Sequence, residues 1–155
     1  MKVIDGGICA AKGFKASGMY CGVKAAPVEG YDPTAQHKND ICLFVSDVPC
    51  EAAAVYTQNK VKGAPIIVTK NNLEKSGNKA IAVIANSKNA NTCNADGVEK
   101  ADAMCRLVAE ELSLQKEQVI VASTGVIGQV LPRKRSVRPQ VLQNNVSPEN
   151  MIFPM

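Results

Sequence analysis

Short apolar runs separated by turn-forming residues alternate along much of the chain, and this pattern reads as strands. The run from Ile41 to Val45 is a buried strand closed by Ser46-Asp47-Val48-Pro49, and the run from Ala52 to Thr57 is a second, ended by Gln58-Asn59-Lys60. The run from Ala64 to Thr69 reads as a third strand, with Pro65 suiting a first strand position or an edge. A fourth, from Ala80 to Ala85, leads directly into the amide-rich cluster Asn86-Ser87-Lys88-Asn89-Ala90-Asn91-Thr92. The last, Val119-Ile120-Val121-Ala122, stops abruptly at Ser123-Thr124-Gly125. Ahead of these, the segment from Gly6 to Lys24 is punctuated by glycine and reads as small strands and tight turns, and the polar stretch from Glu29 to Lys38 reads as a loop. Gly13, Gly18 and Gly22 do not form G-x-G-x-x-G, and no G-K-[ST] follows them, so no phosphate-cradling loop is expected there.

Between Asp96 and Leu112 the period changes to that of a helix. Asp96 suits the N-cap, Glu99 three residues later completes a capping-box pattern, and Val98, Ala101, Met104 or Cys105, Val108 and Leu112 recur along one face. Lys100, Arg106 and Glu110 fall on the polar face. A Met and Cys stripe at this spacing is read as core packing. Strand, amide-rich loop, helix and strand together make a βαβ unit. That unit brings the segment from Asn86 to Thr92 and the pair Thr124-Gly125 to the carboxyl ends of neighbouring strands, where α/β proteins keep their chemistry. A buried strand ending in Ser-Thr-Gly carries hydroxyls and unencumbered backbone N–H groups to that edge, which suits a developing oxyanion or a phosphate.

Composition narrows the class. The 155 residues, 46% of them hydrophobic, suit one globular domain. No uninterrupted apolar run reaches the roughly 18 residues that span a bilayer, and Met1-Lys2-Val3-Ile4-Asp5 lacks a signal-peptide core, so a cytoplasmic protein with no membrane partner is expected. The 6 cysteines, Cys9, Cys21, Cys42, Cys50, Cys93 and Cys105, form no C-x-x-C pair. The one histidine, His37, lies in a polar stretch, so free thiols and no metal site are expected. The net charge of +4 is concentrated at the end: Arg133, Lys134, Arg135 and Arg138 stand against Glu149 alone after Pro132. The nearly neutral body gives no electrostatic reason to expect nucleic acid. A small non-enzymatic domain with a basic anion-binding tail is the reading from a different class. The tail has no interleaved aromatics and no known binding fold, and salt-dependent binding to a generic duplex discriminates the two.

Several stretches, in order over the first ~130 residues, resemble the ornithine acetyltransferase family, the bifunctional glutamate/ornithine N-acetyltransferases of arginine biosynthesis. They are Lys12-Gly13-Phe14-Lys15-Ala16-Ser17-Gly18, Val45-Ser46-Asp47-Val48-Pro49, Asn59-Lys60-Val61-Lys62-Gly63-Ala64-Pro65, Asn86-Ser87-Lys88-Asn89-Ala90-Asn91 and Ala122-Ser123-Thr124-Gly125-Val126-Ile127-Gly128. The resemblance implies a mixed-sheet α/β sandwich of the self-processing ornithine acetyltransferase/aminopeptidase type, two sheets between helix layers, incomplete in this chain. It implies a ping-pong transfer of acetyl from N-acetylornithine to glutamate through the amino-terminal threonine of a second, β chain cut from the same precursor. No metal or cofactor is required, with acetyl-CoA an alternative acetyl donor in the bifunctional reaction. On this resemblance the Thr124 hydroxyl and the Gly125 N–H form the oxyanion hole.

Two departures from the family pattern stand out. Lys88 occupies a place where the family's amide loop has glycine, which touches a backbone angle or a close approach. After Val130-Leu131-Pro132 the family continues to a Thr-Thr-Asp motif and a self-cleaving Ala-Thr junction, whereas here the basic segment from Arg133 to Arg138 follows. Residues 1–131 are accordingly read as an amino-terminal α-chain part and 132–155 as a divergent, disordered basic tail of a truncated or frame-shifted product. The expected result is a fragment without its nucleophile, inactive alone, that forms a hetero-oligomer when complete. A fragment of a related self-processing aminopeptidase, hydrolytic in outcome, is the competing enzyme reading.

Overall fold

The computed structural model describes residues 5–21, 23 and 39–131. The basic tail, His37 and the polar loop from Glu29 to Lys38 lie outside them. After a 3-10 turn at Gly7–Ala10 come strand β1 (Phe14–Met19), strand β2 (Ile41–Glu51), helix α1 (Ala64–Lys75), strand β3 (Lys79–Asn86), helix α2 (Gly97–Leu112) and strand β4 (Val119–Ser123). The strands form a mixed sheet in the order β1-β2-β3-β4. β1, β2 and β3 pair antiparallel, and β3 and β4 pair parallel across the α2 crossover, which is the expected βαβ unit.

Alternation along β3 buries Ala80, Ala82, Ile84 and Asn86, as a period of two requires. That face, with Ile41 and Leu43 from β2 and Val119 and Val121 from β4, packs against Ala64 and Val68 of α1 and Ala101, Met104, Cys105 and Val108 of α2. Phe44, Val83 and Ile120 point to the other face and are only partly buried. Among the described residues the architecture is therefore one sheet with helices on one side.

The run from Ala64 to Thr69 is a helix rather than a strand. Pro65 sits in the first turn, where its missing N–H breaks no bond, and the buried Pro65, Val68, Thr69, Asn72 and Leu73 keep helical spacing. The local β propensity of Ile66-Ile67-Val68-Thr69 yields to that longer period, which is concealed because two of its core positions, Thr69 and Asn72, are polar. Residues 52–57 have no regular structure, correcting the second expected strand. β3 already has β2 on one side and β4 on the other, so that run has no vacant ladder beside β3 to join. Ser46-Asp47-Val48-Pro49 does not close β2 but forms an irregularity inside it, where the register shifts between Val45 and Cys50 and Pro49 is tolerated.

α2 matches its expected limits with a different face. Val98 is 45% exposed, whereas Lys100 is 8% exposed and sits among the core positions. The Lys100 ammonium lies 2.7 Å from Asp96 Oδ2 as an ion pair without hydrogen-bond alignment. Asp96 flanks the helix without a side-chain cap bond, so the capping box does not form. Its carboxylate lies against the lysine four residues on. The six cysteines are free thiols, with Cys93 exposed. Burial holds the Cys105 thiol up at about 12, and burial together with Asp40 does the same for Cys21. No helix of the described residues is long and apolar enough to cross a membrane, and no group of metal-ligating side chains occurs among them.

Candidate active site

The two segments singled out by the sequence meet at the carboxyl end of the β3–β4 pair. Asn86 lies opposite Ser123, and Thr124 N–H donates to Asn86 O at 3.0 Å. Beyond the strands the chains stay together: Asn89 bridges Val126 in parallel fashion, Val126 N–H donates to Lys88 O at 2.9 Å, and Ala90 N–H donates to Val126 O at 3.0 Å.

The amides of the loop form the scaffold that holds this junction. Asn86 Oδ1 accepts from Ser123 Oγ at 2.6 Å, and its Nδ2 donates to Asn89 O at 2.9 Å. Asn89 Nδ2 and Asn94 Nδ2 both donate to Gln129 O, at 2.9 and 2.8 Å. Asn89 Oδ1 accepts Asn91 N–H at 2.8 Å, and Asn91 Nδ2 reaches Gly97 O at the start of α2, also at 2.8 Å. Asn91 is fully buried with φ 47, a left-handed conformation that asparagine tolerates better than most residues. The asparagines therefore act as staples between two loops and a helix, satisfying backbone groups that have no ladder to join.

Gly125 is needed where it stands. With φ +135, its Cα lies so close to the Lys88–Asn89 peptide that a Cβ there would come within 2.1 Å of Lys88 C. Lys88 in turn has φ 78, so the position that the resemblance marks as glycine does use a left-handed backbone, here occupied by an exposed lysine. Lys88→Gly is expected to stabilise the protein by about 0.5–1 kcal/mol, the relief of left-handed strain less the larger unfolded-state entropy of glycine. The measurement is the urea midpoint, and a fall would mean that the lysine side chain supports the loop.

Thr124 and Gly125 are exposed, and neither the Thr124 hydroxyl nor the Gly125 N–H has a hydrogen-bond partner among the described residues. A cleft of about 350 Å³, lined by Ser123, Ala122, Thr92, Ala90, Gly63 and Tyr56 among others, reaches the residue before Thr124 without including Thr124 or Gly125 in its lining. The backbone on either side of the two donors is held by bonds from Thr124 N–H to Asn86 O and from Val126 N–H to Lys88 O, and both donors are left without a described partner at the strand end. Ser123 and the asparagine staples hold the junction together without being among the predicted site residues. Their signal was the amide density itself, which spacing alone could not convert into partners.

Comparison with known proteins gives the family. The model of the ArgJ family matches residues 15–147. The chain is 39% identical over 139 residues to the arginine biosynthesis bifunctional protein ArgJ of Caldanaerobacter subterraneus subsp. tengcongensis, covering 89% of this chain and 31% of the relative. It is 43% identical over 133 residues to the ArgJ protein of Listeria monocytogenes serovar 1/2a, covering 85% and 30%. The chain thus spans about a third or less of the length of these curated relatives.

Among solved structures, ArgJ from Bacillus halodurans superposes with a TM-score of 0.70 at 39% identity, over 81% of this chain and 60% of that one. Ornithine acetyltransferase from Mycobacterium tuberculosis, complexed with ornithine, gives 0.67 at 34% identity, over 81% and 63%. The mixed sheet, the paired loops after β3 and β4 and the extent of these matches converge: this chain belongs to the ArgJ family.

Proposed function

We propose that this chain is the amino-terminal part of an acetyltransferase that moves the acetyl group of N-acetylornithine to glutamate, with Thr124 and Gly125 as its oxyanion hole. The observation that carries this reading is the pair of donors at the end of β4, without internal partners and backed by the asparagine scaffold.

In the proposed reaction a threonine hydroxyl attacks the acetyl carbonyl carbon, and the carbonyl oxygen takes up negative charge. The Thr124 O–H and the Gly125 N–H donate to that oxygen. Collapse of the intermediate breaks the bond to the ornithine nitrogen, which leaves with a proton, and the acetyl group stays on the threonine as an ester. Glutamate's amine then attacks the ester through a second oxyanion in the same hole; collapse breaks the ester C–O bond, the amine's proton returns to the threonine oxygen, and N-acetylglutamate leaves. The backbone that carries the donors is held by the β3 loop before reaction, so little backbone reorganisation is required when charge develops. The attacking threonine belongs to sequence outside this chain, in a β chain of the same precursor, and the complete enzyme is a hetero-oligomer. Acetyl-CoA is the alternative donor to glutamate, and no metal or bound cofactor takes part.

The test is acetyl exchange between N-acetylornithine and glutamate. The chain alone is expected to give none, and addition of the carboxyl-terminal remainder of a family relative is expected to restore it. Exchange by the isolated chain, after controls for host enzyme, would show that the nucleophile lies within it and overturn this division of labour.

A further inference from the structure

In a parallel ladder the N–H and C=O of one residue point to the same side, and successive residues alternate. The register that sets Asn86 opposite Ser123, with Thr124 N–H bonded to Asn86 O, turns residues 120, 122 and 124 of the β4 segment toward β3. Val119, Val121 and Ser123 therefore present their backbone groups to the outer edge. Helix α1 closes that edge over its first part. Thr69 Oγ1 donates to Val121 O at 2.8 Å and accepts Val121 N–H at 3.1 Å, while Asn72 Nδ2 donates to Val119 O at 2.9 Å. Two side chains thus stand in for a neighbouring strand.

The cover ends at Ser123. Its outward N–H and C=O have no partner among the described residues, and the residue lines the cleft of about 350 Å³ one position before Thr124. A backbone donor and acceptor without described partners, on a strand residue that lines a cavity, make the recognition element of a sheet edge.

We propose that Ser123 binds the α-amino acid backbone of the substrate, its N–H donating to the substrate carboxylate and its C=O accepting the substrate α-nitrogen's N–H. This assignment rests on the acetyltransferase reading for its choice of ligand. Antiparallel pairing is the orientation in which one residue exchanges both bonds with a single opposing residue. It also lays the acyl end of an N-acyl amino acid alongside Thr124 and Gly125, because the ligand then runs opposite to β4. Free glutamate offers the same donor and carboxylate, so one edge residue serves both half-reactions.

The backbone donor can be removed selectively. Ser123→Pro deletes the outward N–H and leaves the ladder bonds, which belong to the neighbouring residues. Ser123→Ala keeps the N–H and loses the same hydroxyl bond to Asn86, so it is the reference. Calorimetric titration of the full chain with N-acetylornithine is expected to show binding about tenfold weaker, or more, in Ser123→Pro than in Ser123→Ala, as for a lost hydrogen bond to a charged group. N-acetyl-1,4-diaminobutane, which lacks the carboxylate, is expected to bind the unaltered chain correspondingly more weakly. Amide exchange at Val121 reports whether the edge survives the proline; if it does not, the comparison of the two ligands decides.

Equal affinity of the two variants for N-acetylornithine with the edge intact, equal affinity of the unaltered chain for the two ligands, or no binding of N-acetylornithine overturns the proposal. Acetyl transfer by the completed enzyme alongside any of these results leaves the acetyltransferase reading standing. The expected binding pattern without acetyl transfer overturns that reading and leaves the Ser123 site in place.

Discussion

Gly125→Ala is expected to be the most destabilising alanine substitution at the junction of the two loops, costing about 3 kcal/mol or more from overpacking and left-handed strain together. The added Cβ would lie 2.1 Å from Lys88 C, 2.3 Å from Lys88 O and 2.5 Å from Asn89 N. All three are backbone atoms, and their peptide is tied down by its own Lys88 O, which accepts Val126 N–H, and by the Asn89 side chain, which donates to Gln129 O, so it cannot rotate aside as a side chain would. The parallel bridge between Asn89 and Val126 would have to open. Gly128 provides the control: it also has a positive φ, +79, but nothing lies within 4 Å of its would-be Cβ. Gly128→Ala should therefore cost only the conformational part, about 1–2 kcal/mol. Chemical denaturation of the two variants makes the comparison, and equal losses would show that contact with the Lys88–Asn89 peptide contributes nothing.

On the proposed acetyltransferase reading, Thr124→Ala should leave the fold intact and, in the completed enzyme, lower the acetyl-transfer rate by about 10²–10³-fold with little change in KM. The threonine side chain is exposed and has no hydrogen bond to any described residue, so its removal leaves no buried group without a partner. A hydroxyl that acts on the oxyanion contributes only when charge develops, which is why kcat should fall. Steady-state kinetics on N-acetylornithine and glutamate would read the effect. An unchanged kcat would reduce Thr124 to a strand-end residue and transfer the anion-stabilising role to other donors.

Both predictions concern a site whose parts were legible in the sequence to different degrees. The abrupt change from Val119-Ile120-Val121-Ala122 to Ser-Thr-Gly marked a strand end with hydroxyls on it, and the βαβ pattern located the amide cluster beside it. What each amide bonds to was not legible. Asn86, Asn89 and Asn94 reach residues some 35 to 40 positions away, and such pairings depend on two loops leaving adjacent strands at matching heights. The role of Thr69 was hidden for a related reason. Its run has the β-branched composition of a strand, and only the continuation through Asn72 and Leu73, buried in helical register, reveals an α1 whose polar residues face a sheet edge.

The sequence by itself determined the elements whose apolar period is long or sharply bounded: β3, α2 and β4, their connection, and the position of Thr124 and Gly125 at a strand's carboxyl end. These follow from local steric and solvation preferences, which act over a few residues and leave a periodic trace. Tertiary structure alone decided that residues 64–75 form a helix, that residues 52–57 form no strand, that Lys100 lies inside with Asp96 beside it, and that Ser123 is the residue at which the covered sheet edge opens. Each depends on which backbone groups already have partners when the chain packs. Hydrogen bonds saturate, so a ladder with both sides occupied admits no further strand, and an edge bonded by Thr69 and Asn72 remains available only beyond them.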